Sequence, residues 1–267
     1  MVRSVRDQWN RALDILGNKP SGLITDIDGT ISELVAHPDE AVVTEEIKQS
    51  LNSLAKKLSV VAVVTGRSAP KAISMLGTSE LLVVGNHGME WAENGRIEVA
   101  PEVKPYTDKL NEALDKLSSE IRIPGVLIEN KGVTAAIHYR QTENPDDSKR
   151  VIFAKLSDLA EQYGLILTEG KMNFELRPPV NLNKGTASIR IAERYNLKSC
   201  VFMGDDVTDV DAVRSLRGLA ANGKIVFMSI AVLSGQTPPV VLEEADMLLD
   251  GVRQVAEFLR WLDSSLK

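Results

Sequence analysis

Cysteine is all but absent. Cys200 is the only one in 267 residues, so a disulfide framework within one chain is excluded. That usage fits a reducing cytoplasm, which is the expected location. Inside the apolar run "SCVFMG", Cys200 reads as a small core hydrophobe rather than a catalytic thiol. Aromatic residues are scarce at 4%, so the expected core is aliphatic. No apolar run approaches the ~20 residues of a membrane span. The opening "MVRSVRDQWNRALDILGNKP" has no apolar segment of the signal-peptide kind, and a soluble protein is expected. No block of Lys and Arg stands out and the net charge is -6, so nucleic acid is not an expected partner. An anionic ligand must be attracted by local groups, because the overall field opposes it.

What is present alternates in texture. Residues 5 to 17 carry Val5, Trp9, Leu13 and Leu16 at helical spacing, and Lys19-Pro20 stops them. "GLIT" reads as a short buried strand. "VTEEIKQSLNSLAKKL" reads as a helix with Thr44 as its N-cap and Ile47, Leu51, Leu54 and Leu58 as its apolar stripe. "VVAVVT" is apolar on both faces, as in a covered parallel sheet, and "ELLVVGNHG" repeats the theme. Strands alternating with helices predict an α/β, doubly wound, Rossmann-like parallel sheet.

Near Pro101 the pattern changes. A helix ("YTDKLNEALDKLSSEI"), a hairpin around a tight "NKG" turn, a second helix ("DDSKRVIFAKLSDLAEQYG") and a second hairpin ("LILTEGKMNFELRPP") predict an inserted α+β module. The expected division is a core of residues 1–103 and 180–267 and an insert of 104–179, with Pro178-Pro179 as the return hinge. The first texture then resumes, from the helix "NKGTASIRIAERYN" to the closing "VRQVAEFLRWLDSSL".

Each buried core strand ends in a polar cluster. "GLIT" leads to Asp26-x-Asp28-Gly29-Thr30, "VVAVVT" to Thr65-Gly66-Arg67, and "CVFMG" to Asp205-Asp206-x-Thr208-Asp209. In a parallel sheet these clusters share one rim, where open α/β sheets bind ligands. Lys184 opens a helix that reaches the same rim. Any one cluster alone could merely end a strand or cap a helix; together they gather four or five carboxylates, which need a cation. Mg2+ suits them, because it takes one or two carboxylates plus waters and phosphate oxygens. Asp, Thr, Lys and helix starts around such an ion suit a phosphoryl group.

"DIDGT", "VVTGR", the Lys184 helix and "GDDVTD" resemble, in order, the four motifs of haloacid dehalogenase-type phosphatases. More narrowly, "GNHGME", "ENKGVTAAIHYR", "GKMNFELRPPVNLNKGTA" and "GDDVTDVDA" are similar to trehalose-6-phosphate phosphatases, over residues 23 to 215. The resemblance implies Mg2+-dependent hydrolysis of trehalose 6-phosphate to trehalose and phosphate. Asp26 would be the nucleophile that becomes an aspartyl phosphate. Asp28 would act as acid and then base. Mg2+ would sit on Asp26, the Asp28 carbonyl and Asp205, with Asp206 or Asp209 close by. Thr65 and Lys184 would bind phosphate oxygens.

Gly66, Arg67, Asn86 and His87 are candidate substrate contacts at the rim, with a structural turn as the other reading of His87. The inserted module would be a mobile cap whose Glu129, Lys131, His138, Arg140, Lys171, Glu175 and Arg177 read the sugar, Arg177 alternatively bracing the joint. A disaccharide phosphate is the expected small-molecule substrate, and a trehalose-phosphate synthase the expected functional partner. Two departures stand out: Val210 replaces a Glu that the family's last motif usually carries, and Ile27 stands where Tyr is common. The rival readings are a phosphatase for mannosyl-3-phosphoglycerate or sucrose phosphate, and a non-catalytic sugar-phosphate sensor.

Overall fold

The computed structural model describes residues 5–35, 37–170, 172–235 and 237–267. Along the chain run α1 (Val5–Gly17), β1 (Ser21–Thr25), α2 (Glu45–Ala55), β2 (Val60–Val64), α3 (Ala69–Leu76), β3 (Leu82–Gly85), β4 (Glu90–Glu93) and β5 (Arg96–Val99). There follow α4 (Lys104–Glu120), β6 (Leu127–Asn130), β7 (Ala135–His138), α5 (Pro145–Tyr163), β8 (Ile166–Gly170) and β9 (Asn173–Arg177). The chain closes with α6 (Lys184–Arg194), β10 (Ser199–Gly204), α7 (Val207–Ala221), β11 (Val226–Leu233), α8 (Pro239–Glu243), β12 (Met247–Asp250) and α9 (Gly251–Ser265). These elements form two units, Met1–Glu98 with Leu182–Lys267, and Val99–Asn181.

The first unit is built on a sheet of order β12-β11-β10-β1-β2-β3-β4-β5. From β12 to β3 every pairing is parallel. The alternation of strand side chains separates two cores. Leu23, Val61, Val63, Val201 and Met203 pack with Trp9, Leu51, Ala72 and Leu259, so α1, α2, α3 and α9 cover that face. Ile24, Ala62, Val64, Cys200 and Phe202 pack with Ile191 and Leu216, so α6 and α7 cover the other. Both faces are covered, which is why these strands read as unbroken apolar runs. Burial pushes the Cys200 thiol up, as an inert core residue requires. Helix α2 begins as expected, with the Thr44 hydroxyl accepting from the Ile47 N–H, but it ends at Ala55, short of Leu58.

The sheet is not wholly parallel. Strand β4 returns antiparallel along β3, and β5 extends that edge. Asn94 and Gly95 both take positive φ between β4 and β5, the conformation that Asn-Gly turns favour in hairpins. The α8–β12 segment, absent from the sequence reading, supplies the other edge.

In the second unit a four-stranded antiparallel sheet of order β6-β7-β9-β8 carries α4 and α5 on one face. Ile137, Phe174 and Leu176 meet Leu110, Leu117, Ile152 and Leu156 there. The "NKG" turn is tight, as expected. Beyond the Asn130–Ala135 pair the Lys131 N–H donates to the Thr134 carbonyl at 2.9 Å, leaving Gly132 and Val133 as the turn, and the Asn130 side chain accepts from the Gly132 N–H at 2.8 Å. No helix among the described residues is long and apolar enough to cross a membrane.

Candidate active site

Strand β1 lies between β2 and β10, with Thr25 opposite both Val63 and Met203. The chain leaving each strand emerges on one rim: Asp26 after β1, Thr65-Gly66-Arg67 after β2, Asp205 and Asp206 after β10. The Asp26 N–H extends the ladder by donating to the Met203 carbonyl at 3.0 Å. Helix α6 starts at this rim, held by a capping box in which the Asn183 side chain and the Thr186 hydroxyl each accept the other's backbone N–H. Its first residue, Lys184, is buried. Its Nζ lies 2.9 Å from Asp26 Oδ2 and 2.7 Å from Asp209 Oδ1.

The carboxylates of Asp26, Asp205 and Asp209 offer oxygens within 4.8 Å of one another, all three residues buried. Asp209 is fully engaged by protein donors. Oδ1 takes Lys184, and Oδ2 takes the backbone N–H groups of Asp205 and Asp206, both at 3.1 Å. Asp209 therefore fixes the lysine and the loop after β10, leaving Asp26 and Asp205 as the carboxylates open to a ligand. Three carboxylates against one ammonium leave a formal charge of minus two in a buried site, which a divalent cation matches.

The proton affinities carry the same mark. Burial lifts Asp26 well above the usual carboxylate range, and Asp209 and Asp205 add to this against the opposing pull of Lys184. Burial and Asp209 push Asp205 up to about 7, with Thr30 and Lys184 opposing. Burial works to lower Lys184, but Asp209 and Asp26 more than offset it and its pKa is raised. The ammonium keeps its charge while the two open carboxylates lack enough cation, so the donor set fits a hard divalent ion.

Gly29 and Thr30 explain the rest of the "DIDGT" motif. Gly29 has φ +80°, and a Cβ there would stand 2.0 Å from Asp205 Oδ2. Only glycine admits both that backbone and that carboxylate. The Thr30 hydroxyl donates to Asp205 Oδ1 at 3.0 Å. Sequence reasoning passed over Thr30 as a site residue; the signal was its place in the quoted cluster.

Asp28 is not part of the buried carboxylate cluster. Arg67 grips it with two hydrogen bonds, Nε to Oδ2 at 2.7 Å and a terminal nitrogen to Oδ1 at 2.6 Å. Arg67 was expected as a substrate contact; in this structure its head is committed to Asp28, the candidate acid–base. Thr65 is buried and its hydroxyl accepts from the Arg67 N–H at 3.2 Å. Gly66 lies under His87, since a Cβ there would be 2.6 Å from the ring Nε2. The His87 N–H donates to the Thr65 carbonyl and the Asn86 N–H to the Arg67 carbonyl. Asn86 and His87 thus build the turn behind Thr65-Gly66-Arg67. Asp206 is exposed and caps α7 through the Val207 N–H.

In the second unit, Glu129, Ala136, Glu175 and Thr168 stand in one row across β6, β7, β9 and β8. His138 lies in the next row, and Arg177 is two residues from Glu175. By alternation these side chains share the sheet face opposite α4 and α5. Glu129 lies 3.4 Å from His138, and Lys131 3.5 Å from Glu175. Five of the expected sugar contacts, Glu129, Lys131, His138, Glu175 and Arg177, thus belong to one polar surface or its edge. Arg140 lies beyond the end of β7 and is exposed. Lys171 lies outside the described residues.

The family model for trehalose-phosphatase matches residues 24–238. A Mycobacterium tuberculosis protein named as an uncharacterized glycosyl hydrolase is 32% identical over 212 residues, covering 76% of this chain but 16% of that protein. The chain therefore spans about a sixth of that relative's length. Probable trehalose-phosphate phosphatase J of Arabidopsis thaliana is 26% identical over 92% of this chain and 72% of its own length. The probable phosphatase E of the same plant is 31% identical over 73% and 59%. Among solved structures, a trehalose-6-phosphate phosphatase related protein superposes with a TM-score of 0.74 at 22% identity, over 91% of this chain and 97% of its own. The C-terminal domain of the Candida albicans trehalose-6-phosphate phosphatase gives 0.72 at 20% identity, over 98% and 97%. These neighbours share the fold, and the family match runs through the rim clusters and the polar sheet alike: the chain belongs to the trehalose-phosphatase family.

Proposed function

We propose that the protein hydrolyses trehalose 6-phosphate to trehalose and phosphate, with Asp26 as nucleophile. The observation that carries this is the buried Asp26–Lys184–Asp209 arrangement beside Asp205, short of cationic charge by the amount one divalent ion supplies. Asp26 and Asp205, with the Asp28 backbone carbonyl, would hold Mg2+. When bound it supplies the charge that keeps both carboxylates ionised and balances the phosphoryl oxygens.

Asp26 attacks phosphorus, the P–O bond to the sugar breaks, and the aspartyl phosphate is then cleaved by water. Asp28, two residues on and outside the buried cluster, protonates the leaving sugar oxygen and then takes a proton from that water. Arg67 aims Asp28 at the reacting atoms. Lys184 faces Asp26 and steadies the negative oxygens of the transferring group. The unit of Val99–Asn181 acts as the specificity unit. Its Glu129, Glu175, Lys131 and His138 offer sugar hydroxyls both donors and acceptors on one face. A synthase that makes the sugar phosphate is its natural supplier.

The test is phosphate release from trehalose 6-phosphate, with Mg2+ and with a chelator, for wild type and Asp26→Asn. Release should need Mg2+ and vanish in the variant. Equal release from the two proteins removes Asp26 as the nucleophile, and faster turnover of another sugar phosphate moves the substrate assignment.

A further inference from the structure

We propose that Glu90 is a positioning residue for the acid–base carboxylate, acting through Arg67; this rests on the reading of Asp28 as that carboxylate. Glu90 opens β4 opposite Gly85 and is buried. It faces neither the carboxylate cluster nor solvent. Its Oε2 accepts from the Ala69 N–H at 2.7 Å, and its carboxylate also bonds the Asn86 side chain.

Those two partners sit where the rim needs bracing. Ala69 is the first residue of α3, directly after the Arg67 loop, and Ser68 makes no side-chain cap there. Glu90 supplies the missing cap from another strand, and its charge suits a helix start. Asn86 and His87 hold φ of +47° and +55°. Such backbones persist only when their surroundings fix them. The surroundings are Glu90 on the Asn86 side chain and the Arg67 and Thr65 carbonyls on the two N–H groups. One buried carboxylate therefore ties the loop after β2 to the turn after β3. Arg67 stands between those ties, and its guanidinium is the two-point grip on Asp28.

Removing the carboxylate orphans a buried N–H and a buried amide, and the Arg67 backbone loses its brace. The grip on Asp28 loosens without any loss of Asp26, Lys184 or Asp205.

The test measures kcat and KM for Mg2+-dependent phosphate release from trehalose 6-phosphate and p-nitrophenyl phosphate, in a double-mutant cycle of Glu90→Ala and Arg67→Ala. Glu90→Ala should lower kcat at least about 10-fold, within the range an acid–base group controls, with KM changed by less than about 3-fold. Glu90→Gln keeps an acceptor and a donor and should recover most of the rate. In the Arg67→Ala background, Glu90→Ala should cost less than about 2-fold, because coupled residues are not additive. Equal costs in both backgrounds, an unchanged kcat in Glu90→Ala, or no recovery in Glu90→Gln would overturn the proposal. A readout without turnover separates this from failure of the functional reading. In nitrogen-15 spectra of the free protein, the Ala69 amide should lose its protection and the Arg67 Nε–H signal should shift or broaden in Glu90→Ala. If both stay as in wild type the proposal fails, whatever ester the enzyme does or does not cleave.

Discussion

At the residue scale, the "DIDGT" stretch is a packing solution as well as the proposed catalytic one. Asp205 arrives from a distant strand and needs Gly29 beneath it and Thr30 beside it. Thr30→Val keeps the shape and removes the donor. It should weaken Mg2+ binding by about 10–100-fold, the usual cost of losing a group that orients a metal ligand; calorimetric titration would measure it, and unchanged affinity would mean that Asp205 is held by other means. Gly29→Ala should be worse, since the new methyl collides with Asp205 Oδ2 and an L side chain at φ +80° costs roughly 1–2 kcal/mol. A thermal melt combined with the same titration would detect both losses. The sequence made Asp26, Lys184 and Asp205 legible because charged residues stand out where an apolar strand ends or a helix opens. It did not reveal Arg67 as the partner of Asp28, because a Thr-Gly-Arg stretch reads equally well as a strand end.

At the scale of elements, position comes from caps. Lys184 can reach two carboxylates only if α6 starts where it does, and Asn183 with Thr186 fixes that start. Asn183→Ala should lower stability by about 0.5–2 kcal/mol, the cost of losing an N-cap, measurable by denaturant unfolding; no change would show that Lys184's ion pairs alone anchor the helix. The central parallel strands were legible from their unbroken apolar runs and the main helices from their apolar periodicity. The antiparallel edge was not: β4 and β5 are four residues each, too short for a period, although Asn94-Gly95 between them is a hairpin signal. The α8–β12 segment escaped for the same reason.

At the scale of the whole molecule, the charge deficit links stability to pH and metal. Asp26 and Asp205 have raised proton affinities in the fold. The metal-free protein should therefore hold the full contribution of these two groups only below the unfolded carboxylate value near 3.9. It should lose stability as pH climbs toward the folded value, about 7 for Asp205. The slope is up to about 1.4 kcal/mol per pH unit for each group. Mg2+ held as proposed would compete with those protons, so the rise in Tm that it gives should grow between pH 5 and 8. Melts in chelator that are flat over this range would show that the carboxylates are already compensated.

The first unit is written in two halves around the second. Thr30 meets Asp205 across 175 positions of chain, and β1 gains its β10 neighbour only after Val99–Asn181 has been made. On a ribosome the interposed unit, continuous in sequence, can close its own sheet while β1 still lacks one side. The proposed reactive centre consequently stays incomplete until the chain has passed Asp209, well after the interposed unit has been made.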